Sequence, residues 1–266
     1  MAERVQKVLS QWGIASRRKA EKMMIEGRVQ INGQRAKLGD KVDLTVDMLQ
    51  VDGKAVTNAH RPQLVYLLLN KPVGVVSTCD DPQNRSTVID LLSPTLKQGM
   101  GIHPVGRLDF ASSGALILTN DGQLTLGLTH PRYHLPKTYH VRLDRSPGRK
   151  DLAVWRGGII LDGKMTLPAK IQLVKSDITG TTLEIVLREG RNRQIRRVAQ
   201  QLGYQVNQLH RIAIGSITLD LAKGLQIESG KYRHLDVTEI NFLKNSFKAK
   251  FSPVAAPSGR AFYEQP

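Results

Sequence analysis

Two periods of hydrophobic and polar residues alternate along the chain, and the change from one to the other divides it. Near the N-terminus Val5, Val8, Leu9 and Trp12 recur at helical spacing, and Gly13 ends the run. Ser16 is placed to cap a second helix, "RRKAEKMMIEG", with Ala20, Met23 and Met24 on its inner face and Gly27 at its end. The alternating stretch "RVQINGQRA" turns at Asn32-Gly33, and "LQVDGKAV" repeats the device at Asp52-Gly53. Residues 1–61 therefore predict a small unit of two helices and a few short strands. The polar, proline-bearing "TNAHRPQ" over 57–63 reads as a linker.

Beyond it the pattern favours strands. "LVYLLLNKP" is a buried strand stopped by Pro72, and "GALILTN" and "KTYHVRL" are two more. "AKIQLVKSDITGTTLEIVL" reads as a hairpin turning at Gly180, and "YQVNQLHRIAIGSITLD" returns to strand. Between them "NRQIRRVAQQLG" is a helix with Ile195, Val198, Ala199 and Leu202 inward and Gly203 at its end. Mostly antiparallel strands with few helices predict an α+β fold: a small N-terminal unit, then a larger mixed sheet domain with flanking helices over 62–245. The residues from 246 to 266 hold three prolines and no periodicity, and predict a disordered tail.

Charge adds a partner to this picture. Lys and Arg number 39 against 23 Asp and Glu, a net charge of +16, which favours a polyanion. The charges are spread along the chain rather than gathered on one amphipathic helix, so a membrane surface is not expected. No apolar run approaches a membrane span, and the charged start "MAERVQKVLSQWG" does not read as a signal peptide. The single cysteine, Cys79, cannot form an internal disulfide, which fits a cytoplasm or organelle stroma. Cations along the second helix beside a hairpin, "SRRKAEK" then "GRVQINGQ", make a sound grip for a phosphate backbone. A solvated helix face is the alternative.

The densest chemistry lies in "GRLDFASSGALILTNDG" over 106–122, where a lone carboxylate, Asp109, follows Arg107 and precedes Ala111, Ser112, Ser113 and Gly114. The small residues permit close approach by a ligand or by another backbone. A nearby cation favours an ionised carboxylate, and an ionised carboxylate can serve as nucleophile or base. A structural Asp that caps a turn is the competing reading. Tyr139 offers a flat face with a polar tip, suited to stacking on a base. "REGRNRQIRR" over 188–197 sets five arginines against one acid, so Arg191 and Arg193 are candidates for phosphate contact.

These segments together resemble a known family. "QKVLSQWGIASRRKAEKMMIEGRVQINGQRAKLGDKV" is similar along its length to the S4 RNA-binding domain. That resemblance implies RNA contacts through Arg17, Arg18, Lys19, Lys22 and Arg28. The stretch around Asp109 resembles the signature of the pseudouridine synthases that carry an N-terminal S4 domain, the RsuA type, which act on small- or large-subunit ribosomal RNA. "KTYHV" and "EGRNRQIRRVAQQLG" followed by "VNQLHRIAIGSITL" resemble two further motifs of that family, in the same order. The resemblance makes Asp109 the catalytic residue, Arg196 its paired arginine, and Tyr139 and Leu209 the contacts to the uracil, with Arg107 in support. Family members usually carry Thr where this chain has Ser112, a difference that bears on how tightly the loop is held.

The function so implied is isomerisation of a uridine in ribosomal RNA to pseudouridine, with the stretch after 209 leaning toward the large-subunit members. The partner would be a structured stem-loop or a pre-ribosomal particle, met by a monomer in the cytoplasm. A non-catalytic ribosome-assembly protein on the same fold is the alternative. A glycosidase needs two carboxylates, and Asp121 is the second available, although "TNDG" reads more simply as a turn. His130 and His134 are four apart, but Pro131 interrupts any helix there, so no metal is expected. No phosphate-loop motif is present, so no cofactor is expected either.

Overall fold

The computed structural model describes residues 1–130, 134–220 and 224–248. Its N-terminal unit runs β1 (Glu3–Arg4), α1 (Val5–Gln11), α2 (Arg17–Ile25), β2 (Val29–Ile31), β3 (Gln34–Arg35), β4 (Lys41–Val42), β5 (Leu49–Val51) and β6 (Lys54–Val56). Val5, Val8, Leu9, Trp12, Ala20, Met23 and Met24 are all buried in one cluster with Val29, Leu49 and Val51, as the helical spacing predicts. Ser16 caps α2 by accepting from Lys19 N. Asn32-Gly33 and Asp52-Gly53 both have positive φ at both residues, the backbone of the tightest hairpin turn.

The larger part contains β7 (Tyr66–Lys71), α3 (Pro94–Lys97), β8 (His103–Pro104), β9 (Ser113–Thr119), α4 (Gly122–Thr129), β10 (Lys137–Leu143), α5 (Arg149–Gly157), β11 (Ile160–Leu161), β12 (Lys164–Met165), β13 (Lys170–Asp177), β14 (Gly180–Leu187), α6 (Gln194–Gln201), β15 (Val206–Ile214), β16 (Ile217–Thr218), β17 (Tyr232–His234) and α7 (Val237–Lys248). One sheet takes the order β13-β14-β10-β15-β9-β7-β17, with β16 on β15 and β8 on β9. Among the described pairings of this sheet only β9 with β15 is parallel. Both faces are covered. Leu67 and Leu69 of β7 enter one apolar cluster, with Val141, Leu183 and Ile195. Tyr66 and Leu68, one residue out of phase, enter another with Leu124, Ile214 and Leu243.

Two expectations shift. The helix predicted from residue 192 begins at Gln194, because Arg193 takes a left-handed backbone at φ 48° as its N-cap. The C-terminal segment expected from 246 starts later, since α7 continues through Lys248. Ile240, Leu243 and Phe247 carry the helix on by packing on the second cluster. Residues 249–266 lie outside the described residues.

The two units meet through bare backbone. Gly13 has φ +69°, and a Cβ there would lie 2.0 Å from the carbonyl oxygen of Gly99. At Gly101 a Cβ would lie 2.8 Å from the carbonyl oxygen of Ser10. Beside this junction Trp12 Nε1 donates to Thr57 O at 2.8 Å, and Arg61 lies over the Trp12 ring.

Candidate active site

The loop that carries Asp109 is held by its backbone. Ser112 N donates to Asp109 O at 3.0 Å, closing a turn. Ser77 Oγ accepts from Leu108 N and donates to Leu108 O, and Gly74 N donates to Phe110 O. From the end of β7, Lys71 reaches in with no exposed surface, and its Nζ donates to Ser112 O and Pro72 O, each at 2.8 Å. From α6, Arg196 Nη2 donates to Ala111 O at 2.7 Å while Nη1 donates to Val206 O at 3.0 Å. Three separate elements thus set the direction of one carboxylate.

Gly114, just past the turn, answers what the small residues are for. It lies opposite Arg211 in the parallel pair, and a Cβ there would sit 2.2 Å from the Arg211 carbonyl oxygen. The close approach is by another backbone, that of β15. Ser113 Oγ joins the same strand through His210 Nδ1 at 2.9 Å.

Asp109 and Ser112 line a cavity of about 500 Å³ together with Tyr139, Leu209 and Arg211. The sheet register explains the last three: Tyr139 pairs with Arg211 and Val141 with Leu209 across β10 and β15. Leu209 and Arg211, two apart on one strand, share a face. Arg107 is exposed on the cavity wall. Lys137 also lines it, and burial, with Arg211 adding, pushes its ammonium down to about 8. Burial likewise pushes Lys71 down to about 8, opposed by the charge of Asp109. Asp109→Asn removes that opposing field, so the Lys71 midpoint is expected to fall below about 8 in the variant. A carbon NMR titration of the lysine Cε resonances checks this, and an unmoved midpoint would mean that the two groups do not sense each other.

Several cations differ from their expected roles. Arg196 makes no hydrogen bond to Asp109 and grips the loop carbonyl two residues on. The cation within ion-pair reach is Arg193, with Nη1 3.8 Å from Asp109 Oδ2 and side chains 50% and 32% exposed. A pair that open to solvent contributes little to stability, so the aim of the carboxylate comes from the loop contacts. Arg196 is committed to the Ala111 and Val206 carbonyls, and Arg193, the left-handed N-cap, is left to face the carboxylate. Arg191, expected to meet phosphate, is spent inside the protein: it donates to Glu189 and to the carbonyls of Leu161, Lys164 and Met165. In the N-terminal unit Arg28 is held by both oxygens of Asp52 at 2.8 and 2.7 Å, and Lys22 lies 3.8 Å from Glu26. Arg17, Arg18 and Lys19 are exposed on α2.

The carboxylates sort as cleanly. Glu189, also on the cavity, already accepts from Leu167 N, Arg191 and Gln194. Asp121 is outside the cavity lining and caps α4, accepting from Gln123 N, Leu124 N and the Tyr66 hydroxyl. A two-carboxylate glycosidase site is therefore not assembled among the described residues. The sequence reading missed Lys71 and Arg211. Their signals were a lysine ending an apolar strand and an arginine in phase with Leu209.

Comparison with known proteins follows the same line. A family model described as RNA pseudouridylate synthase matches residues 65–201, and one described as S4 domain matches residues 3–47. An uncharacterized RNA pseudouridine synthase of Aquifex aeolicus is 39% identical over 255 residues, covering 95% of this chain and 98% of that protein. The ribosomal large subunit pseudouridine synthase B of Bacillus subtilis is 38% identical over 245 residues, covering 91% and 96%. A crystal structure of a pseudouridylate synthase superposes with a TM-score of 0.62 at 31% identity, covering 90% of this chain and 99% of that one.

Proposed function

Since the chain belongs to the RNA pseudouridylate synthase family, we propose that it isomerises a uridine of large-subunit ribosomal RNA, with Asp109 as the catalytic carboxylate. The observation that supports this most is Asp109 itself. It is the cavity carboxylate whose hydrogen-bonding capacity is not already taken, and its loop is fixed from three sides while Tyr139 and Leu209 line the same space. A pure RNA-binding protein needs no such arrangement. The likeness to the Bacillus subtilis large-subunit enzyme, over nearly the whole of both chains, favours the large subunit.

The reaction breaks the N1–C1′ bond of uridine, turns the freed base and joins C5 to C1′. The target base must first leave its stack, and a cavity of about 500 Å³ suits one extruded nucleoside. Tyr139 and Leu209 hold the ring while Asp109 acts at the sugar, either on C1′ or on a sugar proton. Residues 1–61 form the S4-like RNA grip and residues 62–245 the catalytic part. In the grip Arg17, Arg18, Lys19 and Lys22 take phosphates, while Arg28 is held by both oxygens of Asp52. The protein works as a monomer in the cytoplasm, on a structured stem-loop or a pre-ribosomal particle.

Release of tritium from 5-tritiated uridine in large-subunit ribosomal RNA tests the activity, and mapping pseudouridines with and without the gene locates the target. An absence of both signals would refute the reading. Within it, Arg193 and Arg196 are expected to separate. Arg196→Lys gives up one of two carbonyl bonds to a point charge, so single-turnover rate at saturating RNA should fall about tenfold or more with affinity nearly kept. Arg193→Ala should weaken binding and lower the salt slope by about one, as loss of a phosphate contact does. Rates and salt slopes measured side by side distinguish the two.

A further inference from the structure

Arg211 is a buried charge that forms no ion pair among the described residues. It is 4% exposed, and its Nε donates to Ala115 O at 2.6 Å, which fixes the guanidinium plane. Its Cζ lies 6.0 Å from the centre of the Tyr139 ring. Its Nη2 is buried without a hydrogen-bond partner among the described residues. Ser112 Oγ, on a residue 1% exposed, is also without one. Both residues line the cavity. Two buried polar groups left open on the wall of one cavity point to a polar ligand that completes them. Cations outnumber the acids around them: Arg211, Lys71 and Lys137 stand near one another, Asp109 on the same wall acts on Lys71, and Glu189 is engaged elsewhere. A buried guanidinium without a counter-ion costs stability, and an acceptor that gains negative charge offsets that cost.

We propose, resting on the reading of the site above, that Arg211 is a further catalytic residue: its open Nη2–H donates to a carbonyl oxygen of the extruded uracil and stabilises the charge that the ring acquires as N1–C1′ breaks. The electron pair of that bond leaves with N1 and spreads onto O2 and O4. A ring electron pair forms the new bond when C5 joins C1′, the hydrogen of C5 departs as a proton, and N1 takes up one proton, so the product is an isomer of the substrate. No oxidant or reductant enters. Tyr139 holds the face of the ring, and Arg211 meets its edge. Ser112 Oγ offers a second hydrogen bond within the same cavity.

The test changes the substrate as well as the protein, because Arg211 also braces Ala115 and a variant can lose rate through the fold alone. Single-turnover conversion is measured by nucleoside chromatography on large-subunit ribosomal RNA carrying uridine, 2-thiouridine or 4-thiouridine, using the full chain and its Arg211→Gln and Arg211→Lys variants. Sulfur accepts a hydrogen bond poorly. The wild-type protein is expected to convert one of the two thio substrates about tenfold more slowly than uridine, which also identifies the contacted oxygen. Arg211→Gln is expected to lose about a hundredfold on uridine, the scale of removing one transition-state donor, and to lose the discrimination against that thio substrate. Arg211→Lys should fall between. A wild-type protein indifferent to both sulfurs, or a Gln variant that keeps the wild-type ratio, overturns the proposal. A wild-type protein that converts no uridine at all instead refutes the activity itself.

Discussion

Asp109→Asn is expected to cut single-turnover conversion at saturating RNA by about a thousandfold or more, since an amide can neither attack carbon nor take a proton. The structure makes this substitution a clean probe. The loop is held through Asp109 O, Ala111 O and Ser112 O, all backbone atoms that Asn retains. The side chain's ion pair, to Arg193 at 3.8 Å, is half exposed, and such pairs contribute about 1 kcal/mol at most. Melting temperature and RNA affinity should therefore hardly change while tritium release is lost. Substantial release by the variant would remove Asp109 from the chemistry.

Gly114→Ala is expected to have the largest effect on stability. A methyl group there would sit 2.2 Å from Arg211 O and 2.6 Å from Arg211 N, and both are backbone atoms that cannot swing aside. The site also has φ +110°, where an L residue is strained whatever the space. Relief requires β9 and β15 to part, and the loop that carries Asp109 leads directly into β9 while β15 carries Arg211. Loss of about 3 kcal/mol or more is expected, the scale of overpacking plus backbone strain. Gly33→Ala is the control: φ is +81° but nothing lies within 4 Å, so about 1 kcal/mol is expected from conformation alone. Urea unfolding of the two variants, compared at equal slope, measures the difference. Equal losses would mean that the close approach of the strands carries no weight.

What could be read from the chain and what could not divide along the range of the interactions. Helical spacing placed Val5, Val8, Leu9 and Trp12 on one buried face because that pattern is local. The strand Lys137–Leu143 has the bounds of its alternating run, and each hairpin read at an Asn-Gly or Asp-Gly pair turns there. A third such turn, Asp162-Gly163, went unread because its strands are only two residues each. Asp109, Tyr139 and Leu209 stood out in their motifs, and the sheet gathers them at one cavity. The cations were harder. Nothing local says that Arg28 meets Asp52, twenty-four residues away, or that Arg191 is consumed by the carbonyls of β11 and β12. Lys71 looked like the polar end of a strand, yet it lies opposite Gly114 of β9 and has no surface left. Burial of a charge is a tertiary fact, and it is what separated Lys71 and Arg211 from the arginines that keep exposed surface.

The contact between Gly13 and Gly99 bears on how such proteins are assembled from parts. A joint of backbone against backbone, in which the first atom of any side chain would clash at 2.0 Å from Gly99 O, behaves as a keyed fitting. An N-terminal unit transplanted from elsewhere mates with this catalytic body only if it brings glycine to the position of Gly13 and a turn of the same shape. Gly101 imposes the reciprocal condition on the body, because its own first carbon would press on Ser10 O at 2.8 Å. Lock and key are spread over both units, and recombination at the intervening 57–63 segment joins them as a working whole only when both halves of the fitting travel together.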